Sequence, residues 1–165
     1  MSYMNDTLKL LEKLWHAETV YAHCDVPCGI YDPHEAQVAA HSVIRMTQMI
    51  MEAHEEKDPK ILMHNISRFT KVKEDHAEKA KQEVRVIWGD YFKPEMIKEY
   101  PHLHELVFTI MKTASKARQG VDIDAANELL AKIQEFSEIF WKTKGRQTAR
   151  IASGYPTGGE IVMPK

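Results

Sequence analysis

Breaker residues cut this chain into four long amphipathic stretches, and that division leaves little choice of fold. Asp32-Pro33-His34-Glu35 is a helix start: Asp32 is a capping residue, Pro33 suits the first helical position, and Glu35 completes a capping box. The first helix runs to about Lys57, where Asp58-Pro59 repeats the signal. No Gly or Pro then follows until Gly89, and Phe69, Val72, His76, Ala80, Val84 and Ile87 recur at three- and four-residue steps, so they share a face. Gly89 to Pro101 reads as a loop-rich connector with one short helical turn after Pro94. A third helix begins near Pro101, carries the stripe Leu103, Leu106, Val107, Ile110 and Ala114, and stops at Gly120. The fourth spans about Asp122 to Lys144, with Ala126, Leu129, Ile133, Phe136 and Phe140 inward, and stops at Gly145. Short connections between such helices predict an all-α protein, an antiparallel four-helix bundle over residues 33–144. No stretch shows the two-residue alternation of a half-buried strand. Residues 145–165, with four glycines and two prolines, read as an extended tail.

Composition narrows the function classes. A chain of 165 residues is one domain by length and large enough for a real core. Its net charge of −2, from 22 basic and 24 acidic residues, argues against a general nucleic-acid surface. No apolar run approaches the roughly 18 residues of a membrane span. A di-iron bundle would need two Glu-x-x-His pairs, and Pro101 interrupts the single such pair, Glu99–His102. His34, His54 and His64 read as solvated surface residues.

The chemistry concentrates before the first helix. His23-Cys24-Asp25-Val26-Pro27-Cys28-Gly29-Ile30-Tyr31-Asp32-Pro33 holds both cysteines of the chain, with an imidazole immediately before them and the breakers Pro27 and Gly29 around the second. So short a hook cannot form a core, so its purpose is chemical. Thiolates select soft or borderline metals, and imidazole suits zinc, copper, iron and nickel. Spacing by itself says metal or thiol site. Ahead of the hook, Leu8, Leu11, Leu14 and Trp15 line one side of a possible amphipathic helix. Lys9, Glu12 and Lys13 interrupt the apolar stretch that a secretory signal requires. Residues 1–22 are therefore either an ordinary N-terminal helix or a pro-segment whose removal makes His23 the new N-terminus.

Residues 23–33 resemble, nearly residue for residue, the nickel hook of the nickel superoxide dismutases. The similarity continues through Trp88-x-Asp90-Tyr91-Phe92-Lys93-Pro94, Tyr100-Pro101-x-Leu103-His104-x-Leu106-Val107 and Ile139-Phe140-Trp141-x-Thr143-Lys144, covering about residues 23–144. The resemblance implies a leader cleaved before His23 and a nickel ion held by His23, Cys24 and Cys28. The α-amine of His23, the amide nitrogen of Cys24 and the two thiolates would lie in a plane, with the His23 imidazole as axial fifth donor. Such a set favours Ni(II) over tetrahedral zinc, and its anionic donors favour Ni(II)/Ni(III) cycling. Superoxide is then the substrate, and oxygen and hydrogen peroxide the products. Tyr31 and Tyr91 are implied beside the open face of the metal with Lys93 supporting them. Asp25 joins them as the carboxylate within the hook. Phe92 reads as core packing. The family's glutamate and arginine that hold the axial imidazole fall at Ala39 and His76, so this support must be built differently, and His76 becomes a candidate neighbour of the hook.

A homohexamer of four-helix bundles and a leader-processing protease follow from the same resemblance. Thiols that must stay reduced until metal arrives, behind an unconvincing secretory signal, imply a cytoplasmic protein with neither nucleic-acid nor membrane partners. The competing readings are a dithiol oxidoreductase cycling Cys24 and Cys28 through a disulfide, and a non-enzymatic metal carrier. The first lacks the C-x-x-C and alternating strand–helix context usual for such sites.

Overall fold

Local hydrogen bonds fix where each helix begins. The structure is a computed structural model that describes residues 29–165; the leader and the hook residues His23, Cys24, Asp25 and Cys28 lie outside that span. Helix α1 is His34–Glu52, followed by a single 3-10 turn, Ala53–Glu55. Helix α2 is Pro59–Val86, where Asp58 Oδ1 accepts from the Lys60 N–H at 2.8 Å and Pro59 occupies the first turn, which has no intrahelical use for its missing N–H. A π-helical turn, Ile87–Tyr91, leads to the short α3, Pro94–Glu99. Helix α4 is Leu103–Gln119 and α5 is Ile123–Thr143, the latter capped by Asp122 Oδ1 accepting from Ala125 N–H at 2.9 Å. The start of α1 departs from the expected capping box. Asp32 Oδ1 accepts from the His34 N–H at 2.8 Å, while Glu35 turns outward to the ammonium of Lys79 on α2.

Contacts across the bundle set the helix directions. Lys73 and Lys81 of α2 and Trp88 of the π turn that follows it bond, in ascending order, to Gly120 at the end of α4 and to Ser115 and His104 within it, in descending order. The two helices are therefore antiparallel. Contacts of α1 with α2 and α5, and of α4 with α2 and α5, close the ring. The shared face of α1 and α2 is built from small residues, Ala36, Ala39, Ala40, Ala77 and Ala80, all fully buried. Phe136 and Phe140 of α5 fill the space opposite, also fully buried. Truncating either to alanine would cost about 3–5 kcal/mol.

The inward stripes of α4 and α5 are those the sequence spacing implies. That of α2 is not. Its buried residues are Lys73, Ala77, Ala80 and Val84, while Phe69, Val72 and His76 are half-buried. The reason is length. From 59 to 72 no residue of α2 is buried, because this half extends past the ends of α4 and α5 beside the last turns of α1.

The tail also differs from expectation. Thr148–Ala152 (β1) and Glu160–Pro164 (β2) form an antiparallel hairpin with Arg150 opposite Val162. Strand β2 docks on α1 and α5 through side chains that imitate a neighbouring strand. Gln37 donates to the Val162 carbonyl at 3.0 Å and accepts from its N–H at 2.7 Å. Gln134 Nε2 donates to the Glu160 carbonyl at 2.6 Å, and His41 Nε2 reaches the same oxygen at 3.2 Å. Adjacent Ile161 and Val162 are both buried, so this strand never displays the two-residue period by which strands are read.

Candidate active site

The chain enters the described region from the hook side at Gly29, whose positive φ of 69° suits glycine, and passes the 74% exposed Ile30. Tyr31 then folds back onto the bundle, half-buried, with its ring 5.7 Å from that of Tyr91 at 51°. These two positions lie 60 residues apart in sequence and are brought together by the packing of the α1 start against the α2 end.

The π turn aims Tyr91. Its wider coil, closed by the Phe92 N–H donating to the Ile87 carbonyl at 3.4 Å, places two consecutive aromatic rings against α5. Tyr91 lies 4.9 Å from Phe140, and Phe92 lies 5.7 Å from Phe136. Phe92 is buried as core, as its sequence context implied. The Tyr91 hydroxyl is 2.8 Å from Thr143 Oγ1, at the last residue of α5. The Lys144 ammonium stands 5.3 Å from the Tyr91 ring centroid and 5.0 Å from that of Phe140. Lys93 is exposed at the cap of α3.

Beside Tyr31 is a cavity of about 450 Å3, walled by Ile30, Tyr31, Asp32 and Glu35 on one side and Gln82, Glu83, Val86 and Ile87 on the other. Glu35 and Lys79 pair at its edge. The hydrogen bond and charge of Lys79 hold the Glu35 carboxyl below the ordinary carboxylate range, and the bond to Glu35 raises Lys79. Both side chains are about half exposed, so the pair itself adds little stability.

His76 hydrogen-bonds within its own helix, its Nδ1 lying 2.8 Å from the Val72 carbonyl, and Ala39 is sealed in the core. The acid–base pair between α1 and α2 is thus Glu35–Lys79, one turn away from both positions. His34 is only half exposed, and its Nδ1 is buried without a hydrogen-bond partner, which corrects its reading as a solvated residue. His54 and His64 are exposed. Sequence reasoning missed Thr143 and Lys144, although both fall inside a stretch it had matched to the family.

Among the described residues, no three His, Cys, Asp or Glu side chains are grouped to hold a metal ion. The donors expected from the sequence, His23, Cys24 and Cys28, precede the described residues, and their chemistry, one imidazole and two thiols, fits nickel. What the described residues bring together at the start of α1 is a pair of phenols, Tyr31 and Tyr91, with the Lys144 ammonium over the Tyr91 ring and a carboxylate-lined cavity beside Tyr31.

Comparison with known proteins agrees. The nickel-containing superoxide dismutase family matches residues 18–144. The nickel superoxide dismutase of Streptomyces coelicolor is 43% identical over 76% of this chain and 91% of its own length, and that of Streptomyces seoulensis 41% over 76% and 90%. A solved native nickel superoxide dismutase superposes with a TM-score of 0.65 at 40% identity, covering 74% of this chain and 99% of that one. A second, in its oxidized state, gives 0.66 at 38% identity. The hairpin lies beyond the matched region. On sequence and fold together, the chain belongs to the nickel-containing superoxide dismutases, enzymes that convert superoxide to oxygen and hydrogen peroxide with nickel as cofactor.

Proposed function

We propose that the nickel of this dismutase is held by His23, Cys24 and Cys28 after cleavage of residues 1–22 before His23. The observation that carries this reading is the Tyr31–Tyr91 pair, fixed against the bundle only three residues beyond Cys28. Bound in the hook, nickel supplies the Ni(II)/Ni(III) couple that lets one superoxide be oxidised and a second reduced.

The chain's own residues do the rest. Two superoxide anions and two protons become one oxygen and one hydrogen peroxide, so the site must admit a small anion, exclude larger molecules and handle protons. Lys93 and Lys144 attract the anion. The Tyr31 and Tyr91 rings narrow the approach, and their hydroxyls, with Asp25, organise proton-bearing water. The role that a glutamate on the first helix and an arginine on the second play in the better-known family members passes from Ala39 and His76 to Glu35 and Lys79. His76 keeps a neighbouring position on α2.

Cleavage requires a leader-processing protease. A neighbouring subunit of a homohexamer covers so short a hook, and a cytoplasmic setting keeps its thiols reduced until metal arrives.

The test is metal content with activity. Cys24→Ser and Cys28→Ser should each lose nickel by elemental analysis while helical circular dichroism stays at the wild-type level. Precursor retaining residues before His23 should be inactive, since the His23 amine is then an amide. A fully active precursor, or either serine variant keeping its activity, would overturn the ligand assignment.

A further inference from the structure

The Tyr91 hydroxyl does not share its bond with Thr143 symmetrically. A threonine hydroxyl has one proton, and that of Thr143 is donated to the Phe140 carbonyl at 2.7 Å, an oxygen that can only accept. The remaining contact, 2.8 Å between Thr143 Oγ1 and the Tyr91 hydroxyl, must therefore carry the phenolic proton toward Thr143. We infer that Thr143 is a positioning residue that commits the Tyr91 proton to the end of α5, so that Tyr91 presents only acceptor lone pairs to the reaction site.

The chain phenol–threonine–carbonyl takes its direction from its far end, where the Phe140 carbonyl can only accept. The Phe140 carbonyl sits in the last turn of α5, where carbonyls lack intrahelical donors and readily take a side-chain proton. The Tyr91 ring cannot swing away to release the bond, being packed between Phe92 at 5.2 Å and Phe140 at 4.9 Å, with the Lys144 ammonium over its face. An acceptor oxygen facing the site repels a bare anion and favours a proton carrier, either water on its way in or hydrogen peroxide on its way out. Tyr91 then orients the proton source without being that source. The inference rests on the reading that Tyr91 borders the nickel site.

Thr143→Val tests it, because valine keeps the shape and removes the acceptor. The freed Tyr91 proton can then point into the site and donate to an anion. In the apoprotein, the tyrosine doublet of the Raman spectrum, which reports whether a phenol donates or accepts, should change in Thr143→Val. Thr143→Ser should restore it, and Tyr91→Phe identifies the contribution of Tyr91. In the nickel-loaded enzyme, azide should bind more tightly to Thr143→Val by about two- to tenfold, the worth of one net hydrogen bond. That gain should vanish when Tyr91→Phe is added. Unchanged or weakened azide binding in a folded Thr143→Val protein, or an unchanged doublet, overturns the inference. If Tyr91→Phe itself leaves dismutation and azide affinity at wild-type values, the placement of Tyr91 beside nickel fails, and the inference with it.

Discussion

Lys73 places an ammonium where a bundle would normally place a leucine. The residue is only 2% exposed, and its Nζ donates to the carbonyls of Ala117 at 2.7 Å, Arg118 at 3.0 Å and Gly120. These are end-of-helix carbonyls of α4 with no intrahelical donor, at the negative end of its dipole. Burial pushes the lysine below its ordinary pKa, and the carbonyl cage is what makes the site tolerable. Lys73→Met keeps the volume but strands the buried Ala117 carbonyl, so a loss of about 1–3 kcal/mol is expected in urea denaturation; an unchanged midpoint would show that the cap is idle. His41 gives a pH signature. Burial holds its pKa below the ordinary 6.5, against the pull of the Glu160 carbonyl, so the unfolded chain binds a proton that the folded protein refuses. Stability is therefore whole above 6.5 and falls as pH drops below it, a slope that His41→Asn should flatten in thermal melts. Neither role was legible in the sequence. A polar residue on an apolar stripe is ambiguous until its partner is known, and here the partners are 44 and 119 positions away. The meeting of Tyr31 and Tyr91 could be anticipated because both sit inside contiguous motifs.

Elements were legible in proportion to their length. Helices with several turns repeat their stripe often enough to be read, and their Asp-Pro and Asp starts mark the ends. The π turn at Ile87–Tyr91 was read as a connector because Gly89 lies inside it and its widened coil breaks the helical period. The hairpin was missed although its cue was present: two short runs, each with adjacent apolar or branched residues, flank a glycine-rich turn in which Gly154, Gly158 and Gly159 all have positive φ. Removing residues 146–165 deletes Ile161 and Val162, whose burial is worth roughly 3–6 kcal/mol before the ordering entropy of the hairpin is subtracted. It also opens Gln37, His41 and Gln134 to water. The shortened protein should melt at a lower temperature yet keep its helical signal, nickel content and dismutase activity, since the family match stops at residue 144. Loss of activity with the bundle intact would mean that the hairpin reaches into the site's function.

At the scale of the whole molecule, the core and the proposed metal donors come from separate stretches of sequence. The buried cluster is drawn from the helices and Phe92, while the cysteines precede them in sequence. Chelating nickel should therefore abolish dismutation while leaving helical circular dichroism within error of the loaded protein; unfolding on chelation would show the hook to be part of the core. The uneven helix lengths have a different outcome. Helix α2 is 28 residues, about 42 Å, against 17 residues, about 26 Å, for α4. Among the described residues, its half before Lys73 has no buried position and exposes Ile61 and Met63. One continuous helix is thus two domains of stability, an outboard half that can open by itself and an inboard half that opens only when the bundle does. In the separated protomer, backbone amides from 59 to 70 should trade their hydrogens for deuterium well ahead of those from 73 to 86. Along this single helix, the exchange clock would be set by the far ends of its neighbours rather than by its own sequence.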